Sequence, residues 1–345
     1  MTTPDIEAAR AACTAFELPA HVQGIYRHGN GHIHQTYRAG TAAGDFLLQG
    51  LNAQVFPDLE AIAENTARIA GHLALHPGRT RVRLTPRPTR TGNWLHRDAA
   101  GAVWRVFDFI PGAICHEIAP NPGIIETAAR AFGDYQLRLA DLPAPPLRET
   151  LPGFHDTRRR FTQLEHAVAT DPAGRRAGAT PEIAALLERR PLAGALQDLD
   201  LPQRMVHNDT KLNNLLFDAA TGEALCVIDW DTTMPGLAAH DYGDMVRTMA
   251  GNCAEDEPDA SRVLLLPERL DAIRRGYLDA VAEWLTPAEI GSLELGARTI
   301  LFEQACRFLT DHLAGDVYYP VNQPGHNLVR ARVQLSLLAS LEALT

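Results

Sequence analysis

Residues 205–231 read MVHNDTKLNNLLFDAATGEALCVIDWD, and the fold turns on how this stretch is parsed. Met205-Val206 reads as the end of a short strand, and His207–Asn214 is polar. Leu215-Leu216-Phe217 is apolar, residues 218–223 (DAATGE) carry turn chemistry, and Ala224–Ile228 is apolar again before Asp229. Two short apolar runs around a Gly-containing turn predict a β-hairpin. The stretch is therefore a polar loop feeding a hairpin that ends in an acid. A hairpin returns to where it began, so the loop and the acid are expected at neighbouring strand ends.

Outward toward the N-terminus, the signals are of β type. Residues 24–40, GIYRHGNGHIHQTYRAG, read as a strand, a Gly-rich turn and a returning strand, and GDFLLQGL (44–51) reads as another. Leu59, Ile62, Ala63, Thr66, Ile69, Ala70 and Leu73 share one face of a helix predicted over about 58–76. RVRLTP (81–86) and VWRVFDFI (103–110) are again strand-like. Beyond them the periodicity changes. Ile125, Ala128, Phe132, Tyr135, Leu139 and Leu142 form one apolar helix stripe, opened by Pro122 and closed by Pro143. Thr286-Pro287-Ala288-Glu289 is a capping box that starts a helix running to about 313, and a last helix is predicted over about 326–344. The class predicted is α+β with two lobes. Residues 1–106 form a small β-rich lobe, 107–112 (FDFIPG) a connecting hinge, and 113–345 a larger, mainly helical lobe carrying the polar loop.

Composition narrows the function. The chain has 345 residues, 46% hydrophobic and 21% charged, which are ordinary globular values and exclude a disordered chain. The 42 acidic residues outnumber the 32 basic ones, which argues against a nucleic-acid partner. No apolar run approaches the roughly 20 residues that span a bilayer, so no membrane partner is expected. The first residues, MTTPDIEAARAACTAF, lack the apolar region of a secretory signal. The 5 cysteines are odd in number, dispersed and without CxxC spacing, which points to a reducing cytoplasm rather than a disulfide framework or a zinc site. Nearly every basic residue is Arg; the one Lys in the chain, Lys211, lies within the polar loop.

Phosphoryl transfer from ATP asks for what this loop and hairpin offer. It needs a carboxylate to orient a hydroxyl and take its proton, hard oxygens for Mg²⁺ and a cation near the γ-phosphate. Asp209 supplies the first, Asn214 and Asp229 the second, and Lys211 the third, as a mobile point charge.

The HxDxxxxN loop, the hairpin and the VIDW acid resemble those of the kinase-like phosphotransferases, the aminoglycoside phosphotransferases and choline kinases among them. The spacing of five between Asp209 and Asn214 is also that of the protein-kinase catalytic loop. A narrower resemblance, to anomeric sugar kinases of the N-acetylhexosamine 1-kinase type, covers both lobes. It rests on GNGHIHQTY, VFDFIPG, HNDTKLNNLLFD, ALCVIDWDTTMPGLAAHDYGD, CAEDEPD and RFLTDHLAGDVYY with HNLVRARVQ. The resemblance implies a protein-kinase-like fold. It further implies transfer of the ATP γ-phosphate to the C1 hydroxyl of a free hexose, most nearly N-acetylglucosamine or N-acetylgalactosamine. Asp209 would be the catalytic base, assisted by Lys211, with Asn214 and Asp229 on Mg²⁺ and Asp231 helping through water. Gly29, Asn30 and Gly31 would cover the phosphates, and Phe107, Asp108 and Phe109 would read adenine through their backbone. His32, Asp209, Arg307 and Tyr318 would hold the sugar. His207 and Asp241 would support the loop.

One departure stands out. Where many kinase-like strands carry a Lys for the α- and β-phosphates, FLLQG places Gln49 in the nucleotide site. The phosphates would then rely on backbone, Mg²⁺, Lys211 or an Arg. A kinase of an aminoglycoside, a choline-like amine or another small alcohol is the alternative enzyme. A non-catalytic nucleotide- or sugar-binding module is the alternative outside enzymes, supported by Gln49 and opposed by the intact Asp209, Asn214 and Asp229. Phe154-His155-Asp156 is a further acceptor-site candidate. Arg158-Arg159-Arg160 and Glu255-Asp256-Glu257 read as solvated surface.

Overall fold

A computed structural model describes residues 6–29 and 33–344. Helix α1 (Ile6–Cys13) precedes strands β1 (Val22–Arg27), β2 (Gln35–Thr41) and β3 (Gly44–Gly50). Helix α2 (Leu59–Leu75) leads to β4 (Pro86–Arg87), β5 (His96–Arg97), β6 (Val103–Asp108) and β7 (Ala113–Ile114). Then come α3 (Pro122–Arg138), α4 (Thr157–Thr170), α5 (Thr180–Glu188) and α6 (Leu192–Ala195). Strand β8 (Arg204–Val206) enters the polar loop, and β9 (Leu215–Asp218) and β10 (Ala224–Val227) form the hairpin. The chain closes with α7 (Ala238–Met249), α8 (Pro267–Val281), α9 (Pro287–Ala314) and α10 (His326–Leu344). This is a mixed α/β chain with an antiparallel N-terminal sheet and a helical remainder. Of the strand expected over 81–86, Pro86 alone is in one, as the first residue of β4. Upstream of it the Val82 N–H goes to the Leu225 carbonyl at 2.9 Å.

Two compact units divide these elements. The first comprises residues 1–114 together with Asp141–Leu151 and Leu216–Met234, two stretches that the sequence reading assigns to 113–345. Its main sheet runs β1-β2-β3-β6-β4 with β5 beside β6, and its strand pairs are antiparallel. Phe46 and Leu48 alternate inward from β3, as a half-covered strand requires. They join Trp104, Val106, Tyr37 and Phe16 in a cluster capped by Ala9, Ala12 and Cys13 of α1. On the other side Val103 packs with Leu59 and Ile62 of α2. All of Val103–Phe107 is buried, and that is why β6 reads as a near-continuous apolar run.

The second unit comprises Cys115–Ala140, Pro152–Leu215 and Pro235–Thr345. Helix α3 buries Ile125, Ala128, Phe132 and Tyr135, the stripe expected of it, largely against α8. Helix α9 starts at the expected box, with Thr286 and Glu289 each accepting the other's backbone N–H. It packs along α7, and the crossing is close enough to demand two glycines. A Cβ on Gly243 would stand 2.5 Å from the Gly296 carbonyl, and one on Gly296 would stand 2.4 Å from that of Ala239. This contact fixes α7, the helix that carries Asp241.

Candidate active site

In the second unit the polar loop is pinned from below by one carboxylate. Asp241 is fully buried, and its Oδ2 and Oδ1 accept the N–H groups of His207 and Asn208 at 2.8 and 2.7 Å. Its own carbonyl accepts the Thr210 hydroxyl at 2.7 Å. Gln136 on α3 donates to Oδ2 at 2.6 Å and is itself set by the Tyr277 hydroxyl at 2.6 Å. The sequence reading gave Asp241 this bracing part. His207 is fully buried, edge-on to Phe132 and Tyr135 at 5.6 and 5.7 Å. It is scaffold rather than an exposed proton donor. Its Nδ1 accepts the Asp209 N–H at 3.3 Å. Asn208 takes φ +63°, a left-handed turn.

The next residue is Asp209. Its Oδ2 accepts Lys211 Nζ at 2.8 Å and Asn214 Nδ2 at 2.8 Å, so three of the predicted residues meet. Burial pushes the Asp209 carboxyl up, but the Lys211 ammonium, His207 and the Asn214 amide together hold the group below its ordinary range. Asp209 is thus an ionised carboxylate beside a cation. Asn214 spends its amide nitrogen on Asp209, leaving Oδ1 as its ligand-type atom.

A second cluster of this unit joins the loop through His155. Its Nε2 lies 3.4 Å from the Asn208 carbonyl and its Nδ1 3.0 Å from Glu303 Oε1 on α9. Burial pushes Glu303 up, yet His155 and the Thr157 hydroxyl at 2.6 Å bring its carboxyl down to about 2. Beside His155, the Phe154 ring lies under the Arg307 guanidinium at 5.1 Å, and Tyr319 flanks the same guanidinium at 5.7 Å. Arg307 donates to Gln304 at 3.2 Å and, among the described residues, makes no salt bridge. Tyr318 is 60% exposed, so it is a surface ring and not part of the core. Its segment is held by buried Asp311, which accepts the N–H groups of Val317, Tyr318 and Tyr319 at 2.8–2.9 Å. Asp156 serves as the N-cap of α4. Glu303, Asp311 and Tyr319 are absent from the sequence reading, although Glu303 is a lone acid in the apolar run LFEQACRFL.

In the first unit, Asp229 follows β10 with φ +60° and is half-buried. The Trp230 indole N–H fastens this turn to the Val227 carbonyl at 2.9 Å. Asp231 behaves otherwise than expected. Arg105 Nη1 and Nη2 donate to its two oxygens at 2.5 and 2.8 Å, and His34 Nε2 donates at 2.7 Å. The Asn52 N–H on His34 Nδ1, 3.1 Å away, fixes that tautomer. Burial opposes the charge, but Arg105 and His34 hold Asp231 far below the carboxylate range. Its oxygens are committed to protein donors, which removes the reason for placing it near a metal.

Gln49 is committed too. It pairs across from Arg105 in the sheet, accepts Arg105 Nε at 2.9 Å and donates to the Thr36 hydroxyl at 3.2 Å. It positions a buried Arg rather than presenting its amide to a ligand. The expected adenine reader is likewise drawn into the sheet. The N–H groups of Asp108 and Phe109 donate to Thr85 and Asp45 carbonyls at 2.9 and 3.1 Å. Phe107 is buried within β6, and the Asp108 carboxylate is bound by Arg87 at 2.6 and 2.9 Å. Gly29 has the left-handed φ of +73° that its turn requires. Asn30, Gly31 and His32 lie outside the described residues.

The expected surface runs are more engaged than their composition suggests. Arg160 donates to the Phe154 carbonyl at 3.2 Å. Glu255 pairs with Arg247 at 2.6 Å, and Asp256 with His326 at 3.2 Å. Among the described residues no helix is long and apolar enough to cross a membrane.

An antiparallel sheet and a helical remainder, with a braced Asp-x-Lys-x-x-Asn loop, define a phosphotransferase of protein-kinase-like fold. Residues 25–287 match the model of the phosphotransferase enzyme family, and the chain belongs to that family. Among solved structures it is similar to a microcompartment-associated aminopropanol kinase, at 16% identity and TM-score 0.67 over 96% of this chain and 95% of that one. A spectinomycin phosphotransferase solved with ADP and spectinomycin matches at 12% and 0.63, over 99% of each chain. A choline/ethanolamine kinase family protein from Mesorhizobium loti matches at 19% and 0.56, over 98% and 94%.

Proposed function

We propose that this phosphotransferase moves the γ-phosphoryl group of ATP to the C1 hydroxyl of a free hexose, N-acetylglucosamine or N-acetylgalactosamine, releasing ADP and the sugar 1-phosphate. The observation that carries the transfer is the ionised Asp209 hydrogen-bonded to Lys211 and Asn214. The sugar hydroxyl gives its proton to Asp209 as its oxygen bonds to the γ-phosphorus and the bond to the β–γ bridging oxygen breaks. Lys211 meets the charge on the transferring group. Asn214 Oδ1 and Asp229 are hard oxygen donors suited to Mg²⁺, which would neutralise phosphate charge. They flank one hairpin, Asn214 directly before β9 and Asp229 two residues after β10. Gly29, Asn30 and Gly31 cover the phosphates in this reading, residues 1–106 with 107–112 serve the nucleotide, and 113–345 the acceptor. ATP use accords with a structural relative solved with ADP.

The sugar reading rests on the cluster beside the loop. Arg307 between Phe154 and Tyr319, with Tyr318 exposed next to them, offers fork donors and an aromatic face. Such a set suits hydroxyls and a pyranose ring. A fixed guanidinium repels an ammonium, and this counts against the amino-alcohol and aminoglycoside acceptors of the structural relatives. His32 would complete the sugar contacts. Turnover should be measured with N-acetylglucosamine, N-acetylgalactosamine, galactose, choline and kanamycin. The N-acetylhexosamines are expected to be phosphorylated at C1 and the cations left unchanged; turnover of choline or kanamycin alone overturns the sugar reading.

A further inference from the structure

Away from the catalytic loop, two imidazoles and a carboxylate gather at the end of α2. His72 lies in its last turn, and His76, the next residue on that face, caps it by donating its N–H to the His72 carbonyl at 3.2 Å. A spacing of four stacks the side chains, and the two rings lie 4.1 Å apart with their planes 18° from parallel. Asp141 faces both. One of its oxygens is 3.2 Å from His72 Nε2 and the other 3.8 Å from His76 Nδ1. One ligand atom from each of the three residues lies within 4.8 Å of the other two. All three residues belong to the first unit. Side-chain exposure climbs from 6% at His72 to 40% at His76 and 66% at Asp141, which gives the cluster a buried floor and an open rim.

We propose that His72, His76 and Asp141 form a binding site for a first-row transition ion, with Zn²⁺ as its probe. Two neutral imidazole nitrogens and one carboxylate oxygen are the donors such ions take, and water would fill the remaining position on the open side. Mg²⁺, which takes oxygens and holds its own water, is a poor match for this set. The charge also suits a cation, since Asp141 is an acid and the last carbonyls of a helix carry partial negative charge. Binding needs the ligand atoms to draw in to roughly 2.0–2.2 Å from the metal, and the exposed Asp141 has room to close. The consequence is structural. Asp141 opens the Asp141–Leu151 stretch, in which Arg148 exchanges backbone hydrogen bonds with Asn65 of α2 at 2.8 and 3.0 Å. In the same stretch the Thr150 hydroxyl donates to the Asp231 carbonyl at 2.5 Å. Arg68 of α2 already donates to the Pro143 and Pro146 carbonyls at 2.7 and 3.2 Å, and an ion at this site would add a staple between the start of that stretch and the end of α2.

The test uses the full chain with Mg²⁺ in excess. Equilibrium dialysis with metal analysis should give one tightly held Zn²⁺ per chain, and Co²⁺ in its place should show visible ligand-field bands. Zn²⁺ should raise Tm by several degrees. His76→Ala changes a half-exposed residue, so it is expected to fold with the Tm of the metal-free parent. It should weaken Zn²⁺ binding by at least about tenfold and abolish both the bands and the Tm rise. Asp229→Ala should keep all three. Equal binding by the parent and His76→Ala, or no binding by either, reduces the cluster to a histidine–aspartate ion pair and overturns the proposal. Loss of Zn²⁺ in Asp229→Ala but not in His76→Ala overturns it as well, by placing the ion beside the hairpin.

Discussion

A carboxylate proposed to take a proton depends on the neighbours that set its protonation state in the free enzyme. At Asp209 the setting is a contest in which burial favours the neutral acid, while the Lys211 ammonium 2.8 Å away, with His207 and the Asn214 amide, favours the anion, and together they prevail. The acid limb of kcat/KM, which reports the base in the free enzyme, should therefore fall below the ordinary carboxylate value of about 4. Lys211→Ala removes the stabilising charge and leaves the burial. The Asp209 pKa rises, protonation begins at higher pH, and the limb should move to higher pH. A pH–rate profile checks this, and an unmoved limb would mean that Lys211 does not set the base. Asp209→Asn should lower turnover at least about a hundredfold at every pH while ligand binding persists. Unchanged turnover in that variant removes Asp209 from the base role. A general loss of folding cannot mimic the Lys211→Ala result, because it would not displace a limb along the pH axis.

Between elements, the polar loop is braced from helix α7. Helix α7 is brought against α9 by Gly243 and Gly296, and from it Asp241 accepts two loop amides and Gln136. Asp241→Asn puts an amide nitrogen where one oxygen now accepts, so at least one buried N–H loses its partner. An unsatisfied buried donor costs about 1–3 kcal/mol. Thermal melting should show a Tm several degrees lower, and kcat should fall more than KM rises, since the change acts on the geometry of the loop. A variant with parental Tm and kcat would show that the loop holds its shape without this brace. How much of this was open to sequence reading follows from range. The hairpin, the α3 stripe and the α9 capping box are encoded by neighbours within a few residues, and all of them form. The meeting of Asp209, Lys211 and Asn214 was legible too, because it spans one loop. The partners of Asp231 and Gln49 were not: Arg105 lies 126 residues from the first and 56 from the second, and only sheet pairing reveals that one guanidinium occupies both. The partners of the Asp108 and Phe109 amides were not legible for a related reason, since a strand's sequence does not say how far its ladder extends.

At the scale of the whole molecule, the first unit is not one stretch of chain. Its sheet comes from residues before 115, but Asp141–Leu151 and Leu216–Met234 return to complete it. The electrostatics show why they are needed. Arg105 is 5% exposed and the side chain of His34 6% exposed, and their common anion, Asp231, arrives more than a hundred residues later. The same later stretch brings β9, whose Asp218 and Phe217 pair with Ala113 and Ile114 of β7. A fragment ending at Ile114 keeps the five-stranded path and α1, yet strands a buried guanidinium without its carboxylate and a strand without its neighbour. Removing one partner of a buried ion pair costs about 3–5 kcal/mol, against a total stability of about 5–15 kcal/mol for a domain. The fragment also loses the Asp141–Leu151 anchors on α2. It should therefore fail to fold cooperatively, giving collapsed amide dispersion by NMR and weak near-UV circular dichroism, whereas the full chain melts as a folded protein. Arg105→Ala in the full chain should reproduce part of the loss, because it leaves the buried Asp231 with His34 as its remaining partner. If the 1–114 fragment shows dispersed amides and a sharp melt, the sheet is self-sufficient, and the buried Arg105–Asp231 pair owes its place to something other than the assembly of this unit.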